Sequence, residues 1–123
     1  MLQKYLIPLI FSLFPVITQA QAVCPRNTDP ALVEACIDNK LEQVVAVMTH
    51  QLTRIQQRFA DNPTFLAVLR QSQQQWNRYR QQECGNVHLL WQDKPDQYLM
   101  SASCSINLAR ARVAVLQQTY LRD

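Results

Sequence analysis

Glycine is almost missing from this chain of 123 residues, in which Gly85 is the single occurrence. A β-rich domain of this size would need more glycines for its turns, so the shortage argues against a sheet. Long stretches free of both glycine and proline indicate helices instead. We therefore expect an all-α fold.

The sequence also lacks the patterns of common catalytic and metal sites. It contains no glycine-rich phosphate loop, no C-x-x-C pair and no Ser-His-Asp arrangement that can be placed on one surface. His50 and His88 have no ligand-like spacing to the cysteines. We expect no enzyme, no cofactor and no metal site.

Strong charge and long apolar runs are absent as well. Twelve basic residues stand against nine acidic ones, a net charge of +3, too weak to indicate a nucleic-acid partner or a membrane surface. The longest apolar run, Leu6 to Ile17, is shorter than the roughly 20 residues that a transmembrane helix needs.

The first 22 residues have the pattern of a secretory signal peptide. Lys4 precedes the apolar run, and Ala20-Gln21-Ala22 supplies small residues at an A-x-A spacing. Val23, before Cys24, is not the small residue of a lipoprotein signal. We expect cleavage after Ala22, no lipid anchor, and a periplasmic or secreted product with one domain over residues 23–123 and a charge of +2. A buried N-terminal helix is the alternative.

Four cysteines remain in the mature chain, and an even number in a short exported protein predicts two disulfides. We favour Cys24 with Cys36 and Cys84 with Cys104, because each pair closes a local loop. A pairing of the first helix with the second or third is the competing possibility.

Apolar residues recur at helical spacing in three segments. The first is expected from about Pro30 to Ala60, the second from Pro63 or Thr64 to Cys84, with Gly85 as its C-terminal cap. The third is expected to start between Asp96 and Ser101 and to end near Tyr120, after a connection over residues 86–95. The core stripe of the first helix is predicted as Ile37, Leu41, Val45, Met48, Leu52, Ile55 and Phe59. Short turns predict a three-helix antiparallel bundle with all cysteines at one pole.

Three motifs in order resemble the LprI-type lysozyme inhibitor family. They are Cys24 with Cys36, then Gln73-x-x-Trp76-x-x-Tyr79-Arg80-x-x-Glu83-Cys84, then Cys104 with Arg112 and Leu116. The resemblance implies an exported helical domain that binds a c-type lysozyme and blocks its substrate cleft. The alternative is a structural or accessory protein of the cell envelope, for which Val44 and Val47 would contribute an exposed apolar patch.

Arg112 lies on the inner arc of the third helix, where a buried guanidinium needs a partner. We expect it to stack on Trp76 or Tyr79, with ligand binding as the alternative. Arg80 and Glu83 lie near the cysteine pole, and we expect them to form an ion-pair network with Asp38 and Glu42.

Trp91 is the candidate anchor for a protein partner, because a large aromatic on a loop is a common binding residue. A lid packed on the bundle end is the other possibility for this ring. Asp93 and Asp96 flank it and would form an acidic rim for a basic partner.

Overall fold

The computed structural model describes residues 22–123, which fold into three helices. Helix α1 spans Pro30–Arg58, α2 spans Pro63–Leu90 and α3 spans Gln97–Tyr120. This part of the chain has no strand, so the all-α prediction is confirmed. The predicted signal peptide, except Ala22, lies outside the described residues.

Each of the first two helices begins with a side-chain cap that is followed by a proline. Asp29 accepts a hydrogen bond from the backbone N–H of Ala31 at 3.0 Å, and Asn62 accepts one from Phe65 at 3.1 Å. Each cap is followed by a proline in the first turn, whose fixed φ suits a helix start. These local contacts set the positions at which both helices begin.

Helix α2 does not end at Cys84, and the predicted cap at Gly85 is wrong. The helix continues through Gly85 to Leu90, and Gly85 does not have a positive φ. No proline follows until Pro95, so nothing in residues 86–90 prevents the helix from continuing. The chain leaves it at Trp91, and Asp93 takes a φ of 62° in the α2–α3 loop.

Helix α3 is the centre of the arrangement. It packs against both α1 and α2, whereas α1 and α2 touch each other only sparsely. Its buried residues are Leu99, Met100, Ser103, Ile106, Ala109 and Leu116. The short side chains of Ser103 and Ala109 allow neighbouring helices to approach closely.

Two buried clusters divide the core along α3. The cluster at the cysteine pole consists of Cys24, Val33, Ile37, Leu99 and Ile106. The larger cluster at the opposite end consists of Val44, Met48, Ile55, Leu69, Ala109, Leu116 and Leu121. Val45 is exposed, so its predicted core position is wrong. Val44 is buried and cannot contribute to the exposed patch named for the accessory role, whereas Val47 is exposed. Because α1 packs mainly on α3, the buried arc of α1 is narrower than it would be if α1 also packed closely on α2.

Both favoured disulfides are confirmed. Cys24 is bonded to Cys36 and Cys84 to Cys104, with Cα–Cα distances of 6.1 and 5.5 Å. The backbone N–H of Val23 donates to Ser103 Oγ at 3.0 Å, which brings the first disulfide next to the second. The first bond therefore attaches the N-terminal segment to α1, and the second attaches the C-terminal part of α2 to α3, both at the same pole.

Candidate functional site

A polar contact in the middle of the bundle joins all three helices. Arg112 Nε donates to Gln73 Oε1 at 3.0 Å, and Gln73 Nε2 lies 3.3 Å from Met48 Sδ. Among the described residues Arg112 does not stack on an aromatic ring, contrary to expectation; its guanidinium is hydrogen-bonded to Gln73 instead. Two residues of separate family motifs thus meet between α2 and α3, and their contact holds helices together.

The guanidinium of Arg80, one turn farther along α2, makes a cation–π contact with the ring of Trp76. The guanidinium carbon lies 5.2 Å from the ring centroid. Within residues 22–123 the ion pairs are Arg26 with Asp96 and Arg58 with Asp123, so the expected network of Arg80 and Glu83 with α1 does not form. Of the remaining motif residues, Leu116 is buried, while Tyr79 and Glu83 are exposed.

The end of α2, at the tip of the α2–α3 hairpin, exposes large apolar side chains. Leu89 and Leu90 have 66% and 72% of their surfaces exposed, and Trp91 follows them with its ring half-buried. We call these three residues the apolar tip. Single exposed leucines are ordinary, but two beside a tryptophan make the end of α2 a candidate contact surface.

The charges beside the apolar tip differ from the expected acidic rim. Asp96 Oδ2 pairs with Arg26 Nε at 2.8 Å, and Lys94 Nζ lies 5.0 Å from the centroid of Trp91. Asp93 is exposed. The loop therefore carries mixed charge, and Trp91 is more enclosed than the leucines before it.

The tip is held in place from two directions. Gln97 Nε2 donates to the carbonyl oxygen of His88 at 2.9 Å, which ties the start of α3 to the end of α2. One and a half turns back along α2, the Cys84–Cys104 bond joins the same two helices. A surface held this way loses little conformational entropy on binding, which favours affinity.

An acidic surface that sequence reasoning missed lies beside the first turn of α3. Tyr98 is about half exposed, and it faces α1. Desolvation raises the pKa of its hydroxyl, and the nearby carboxylates of Asp38 and Glu34 raise it further. We call Glu34 and Asp38 the acidic flank. Their spacing of four residues near the start of α1 would have indicated one exposed face.

A shallow cleft of about 260 Å³ links this flank to the α2–α3 loop. Its lining includes Glu34 from α1, Pro95 and Asp96 from the loop, and Tyr98 from α3. The apolar tip and the acidic flank thus belong to the same end of the molecule, on either side of the loop.

No group of three or more His, Cys, Asp or Glu side chains in residues 22–123 is arranged to hold a metal ion. None of the helices in that range is long and apolar enough to cross a membrane. The pole is crosslinked by two disulfides and carries both apolar and acidic surfaces.

Comparison with known families identifies the group to which this domain belongs. The family model described as "Lysozyme inhibitor LprI" matches residues 25–116, which extend from beside the first disulfide into the last turns of α3. The chain therefore belongs to the LprI lysozyme inhibitor family, as the three motifs predicted. No curated protein and no solved structure gives a significant match.

Proposed function

We propose that this protein is an exported inhibitor that binds a c-type lysozyme and blocks its substrate cleft with the apolar tip. Family membership supports the inhibitor function, and the two disulfides support export. Cleavage after Ala22 would release the domain of residues 23–123 to the periplasm or the medium. The observation that carries the proposal is the pair of exposed leucines in the last turn of α2, close to the Cys84–Cys104 disulfide.

The shape of the pole suits a concave partner. A helical hairpin end is convex, and an enzyme cleft that accepts a polysaccharide is elongated and open. Leu89 and Leu90 would lose their exposed surface in the cleft, and each fully buried leucine contributes about 1.5–3 kcal/mol. Trp91 would sit behind them as a fixed support.

The acidic flank would supply local complementarity to a basic enzyme. The chain as a whole carries +3, so long-range attraction to another cation is not expected. Glu34 and Asp38 lie beside the half-exposed Tyr98, which makes their end of α1 the better acidic contact. Asp96, expected for this role, already pairs with Arg26.

The first test is inhibition of peptidoglycan lysis by the purified, oxidised protein and by Leu89→Ser/Leu90→Ser. We expect dose-dependent inhibition that weakens by about 100-fold in the double variant, since two buried leucines are lost. Val68→Ser is the matched control, because Val68 is an exposed apolar residue elsewhere on α2. Absence of inhibition by the wild type, or equal inhibition by the double variant and the wild type, would overturn the proposal.

The flank is tested separately by association kinetics. Glu34→Lys/Asp38→Lys should slow association with a basic lysozyme and reduce its dependence on salt. Glu83→Lys, an exposed acidic position on α2, is the control for a general charge effect. Equal slowing by both would mean that the flank has no specific contact.

A structural or accessory role in the cell envelope is the second candidate. A shallow pocket of about 230 Å³ lies between α1 and α3, lined by Val44, Val47 and Val113 with Lys40, Gln43 and Arg110. The exposed Val47 gives it an apolar edge. A stable co-purifying envelope protein, released by Val47→Asp, together with no lysozyme inhibition, would favour this role.

A further inference from the structure

A larger concavity lies away from the pole, between α1 and α2. Because these two helices touch only sparsely, a groove of about 550 Å³ remains between them, lined by residues of α1 and α2 alone. Sites for small molecules commonly have volumes of about 300–1,000 Å³. The groove therefore has the size of a ligand site, and the apolar tip contributes no residue to it.

The groove has an apolar part and a polar edge. Leu52 of α1 and Pro63, Leu66 and Leu69 of α2 supply the apolar lining. Arg70 and Gln74 supply polar atoms farther along α2, and Gln56 supplies an amide on α1. Near the turn between the helices, the rings of Phe59 and Phe65 meet edge to face at 4.9 Å. These rings join α1 to α2 near the end of the groove that Pro63 lines.

The lining of the groove carries a positive charge and no negative charge. Arg70 is the charged residue among those that line it. Gln73 also lines it, and the side chain of Gln73 accepts from Arg112. Arg112 Nη2 is buried and has no hydrogen-bond partner. Two guanidinium groups thus lie at or behind the polar edge, with no carboxylate in the lining, and this favours an anionic group on the ligand.

We propose that this groove binds a single-chain amphiphile with an anionic headgroup. The acyl chain would lie along Leu52, Leu66 and Leu69 toward the turn, and the headgroup would lie at Arg70 and Gln74. A fatty acid carboxylate and a lysophospholipid phosphate offer the same chemistry. The site is separate from the proposed lysozyme contact, and neither proposal depends on the other.

Binding is tested on the purified oxidised protein with cis-parinaric acid, whose fluorescence rises in an apolar site. Laurate and lysophosphatidylglycerol should displace this probe, and dodecanol, with a chain but no charge, should do so about tenfold less well. The stronger of the two anions identifies the source of the headgroup. No rise in probe fluorescence, or equal displacement by dodecanol and both anions, would overturn the proposal.

Two variants locate the site. Arg70→Gln should weaken laurate by about tenfold and leave dodecanol unchanged, because only the headgroup contact is lost. Arg78→Gln, an exposed arginine of α2 outside the groove, is the matched control and should change neither. Leu66→Trp should fill the groove and abolish probe binding. If that variant fails to fold, the contrast between Arg70→Gln and Arg78→Gln still decides, and equal effects of these two would overturn the assignment.

Discussion

Gln73 makes side-chain contacts with both of the other helices. Its side chain accepts from Arg112 and contacts Met48, while Arg112 Nη2 has no partner among the described residues. A buried cation that loses its acceptor costs more than an acceptor that loses its donor, because the ion has the larger desolvation penalty. Loss of the Gln73 amide should therefore cost more stability than loss of the Arg112 guanidinium.

This inequality predicts an asymmetric result from single substitutions. Gln73→Met should lower the free energy of unfolding by about 2–3 kcal/mol, because it leaves the guanidinium of Arg112 without its acceptor. Arg112→Met should cost only about 1 kcal/mol, since it also removes the unpaired Nη2. Urea unfolding measures both values.

The double variant Gln73→Met/Arg112→Met completes the cycle. Its stability should lie within a few tenths of a kcal/mol of that of Arg112→Met alone, because no half-buried guanidinium remains without an acceptor. Arg110→Met, on the exposed side of α3, controls for loss of an arginine. Strictly additive losses would contradict a direct coupling of the two side chains.

Helix α2 contains a glycine, Gly85, five residues before its end at Leu90. A Cβ placed on this residue would meet no atom within 4 Å, and the backbone φ is not positive. Glycine inside a helix costs about 0.5–1 kcal/mol relative to alanine. The apolar tip is therefore carried by a helical turn that contains a locally unfavourable residue.

Gly85→Ala should raise the free energy of unfolding by about 0.5–1 kcal/mol, because it reduces the entropy of the unfolded chain without a clash. Ala67→Gly, at an exposed position of the same helix, should lower it by a similar amount and serves as the reciprocal control. Thermal unfolding followed by circular dichroism measures both. A destabilised Gly85→Ala would mean that the helix stops at Cys84 and that Gly85 needs a left-handed conformation.

The whole molecule is held at one pole by two covalent bonds of different reach. The Cys24–Cys36 bond fastens the N-terminal segment to α1 across a separation of 12 residues. The Cys84–Cys104 bond fastens α2 to α3 across 20 residues. The second bond lies on the hairpin that carries the apolar tip, so it links the stability of the molecule to its proposed contact surface.

Cys84→Ala/Cys104→Ala should lower the free energy of unfolding by about 3 kcal/mol and should weaken lysozyme inhibition, because the tip is no longer pre-organised. Cys24→Ala/Cys36→Ala should cost a similar amount but retain more inhibition. Urea unfolding and the lysis assay are measured under conditions in which both variants are folded. Equal losses of inhibition would indicate that the tip is not the contact.

The starts of the helices and the three apolar repeats could be predicted from the sequence. The even number of cysteines also predicted two disulfides, and the motifs predicted the family. They depend on residues within a few positions of each other, such as Asp29 with Ala31 or Asn62 with Phe65, and on spacing along one helix. The end of α2 was mispredicted at the same range, because Cys84-Gly85 has the composition of a C-terminal cap and nothing local reveals that the helix continues. Gly85 is tolerated inside the helix because its neighbours propagate it.

Only the folded molecule shows the contact between Gln73 and Arg112, the groove between α1 and α2, and the exposure of Leu89 and Leu90. Each depends on how far one helix is rotated and shifted against another. That offset results from the summed packing of side chains distant in sequence, such as Met48, Leu69 and Leu116. A rotation that buries Val44 instead of Val45 changes which residues of α1 meet α3. No single stretch of the chain contains that information, because it arises only when all three helices pack at once.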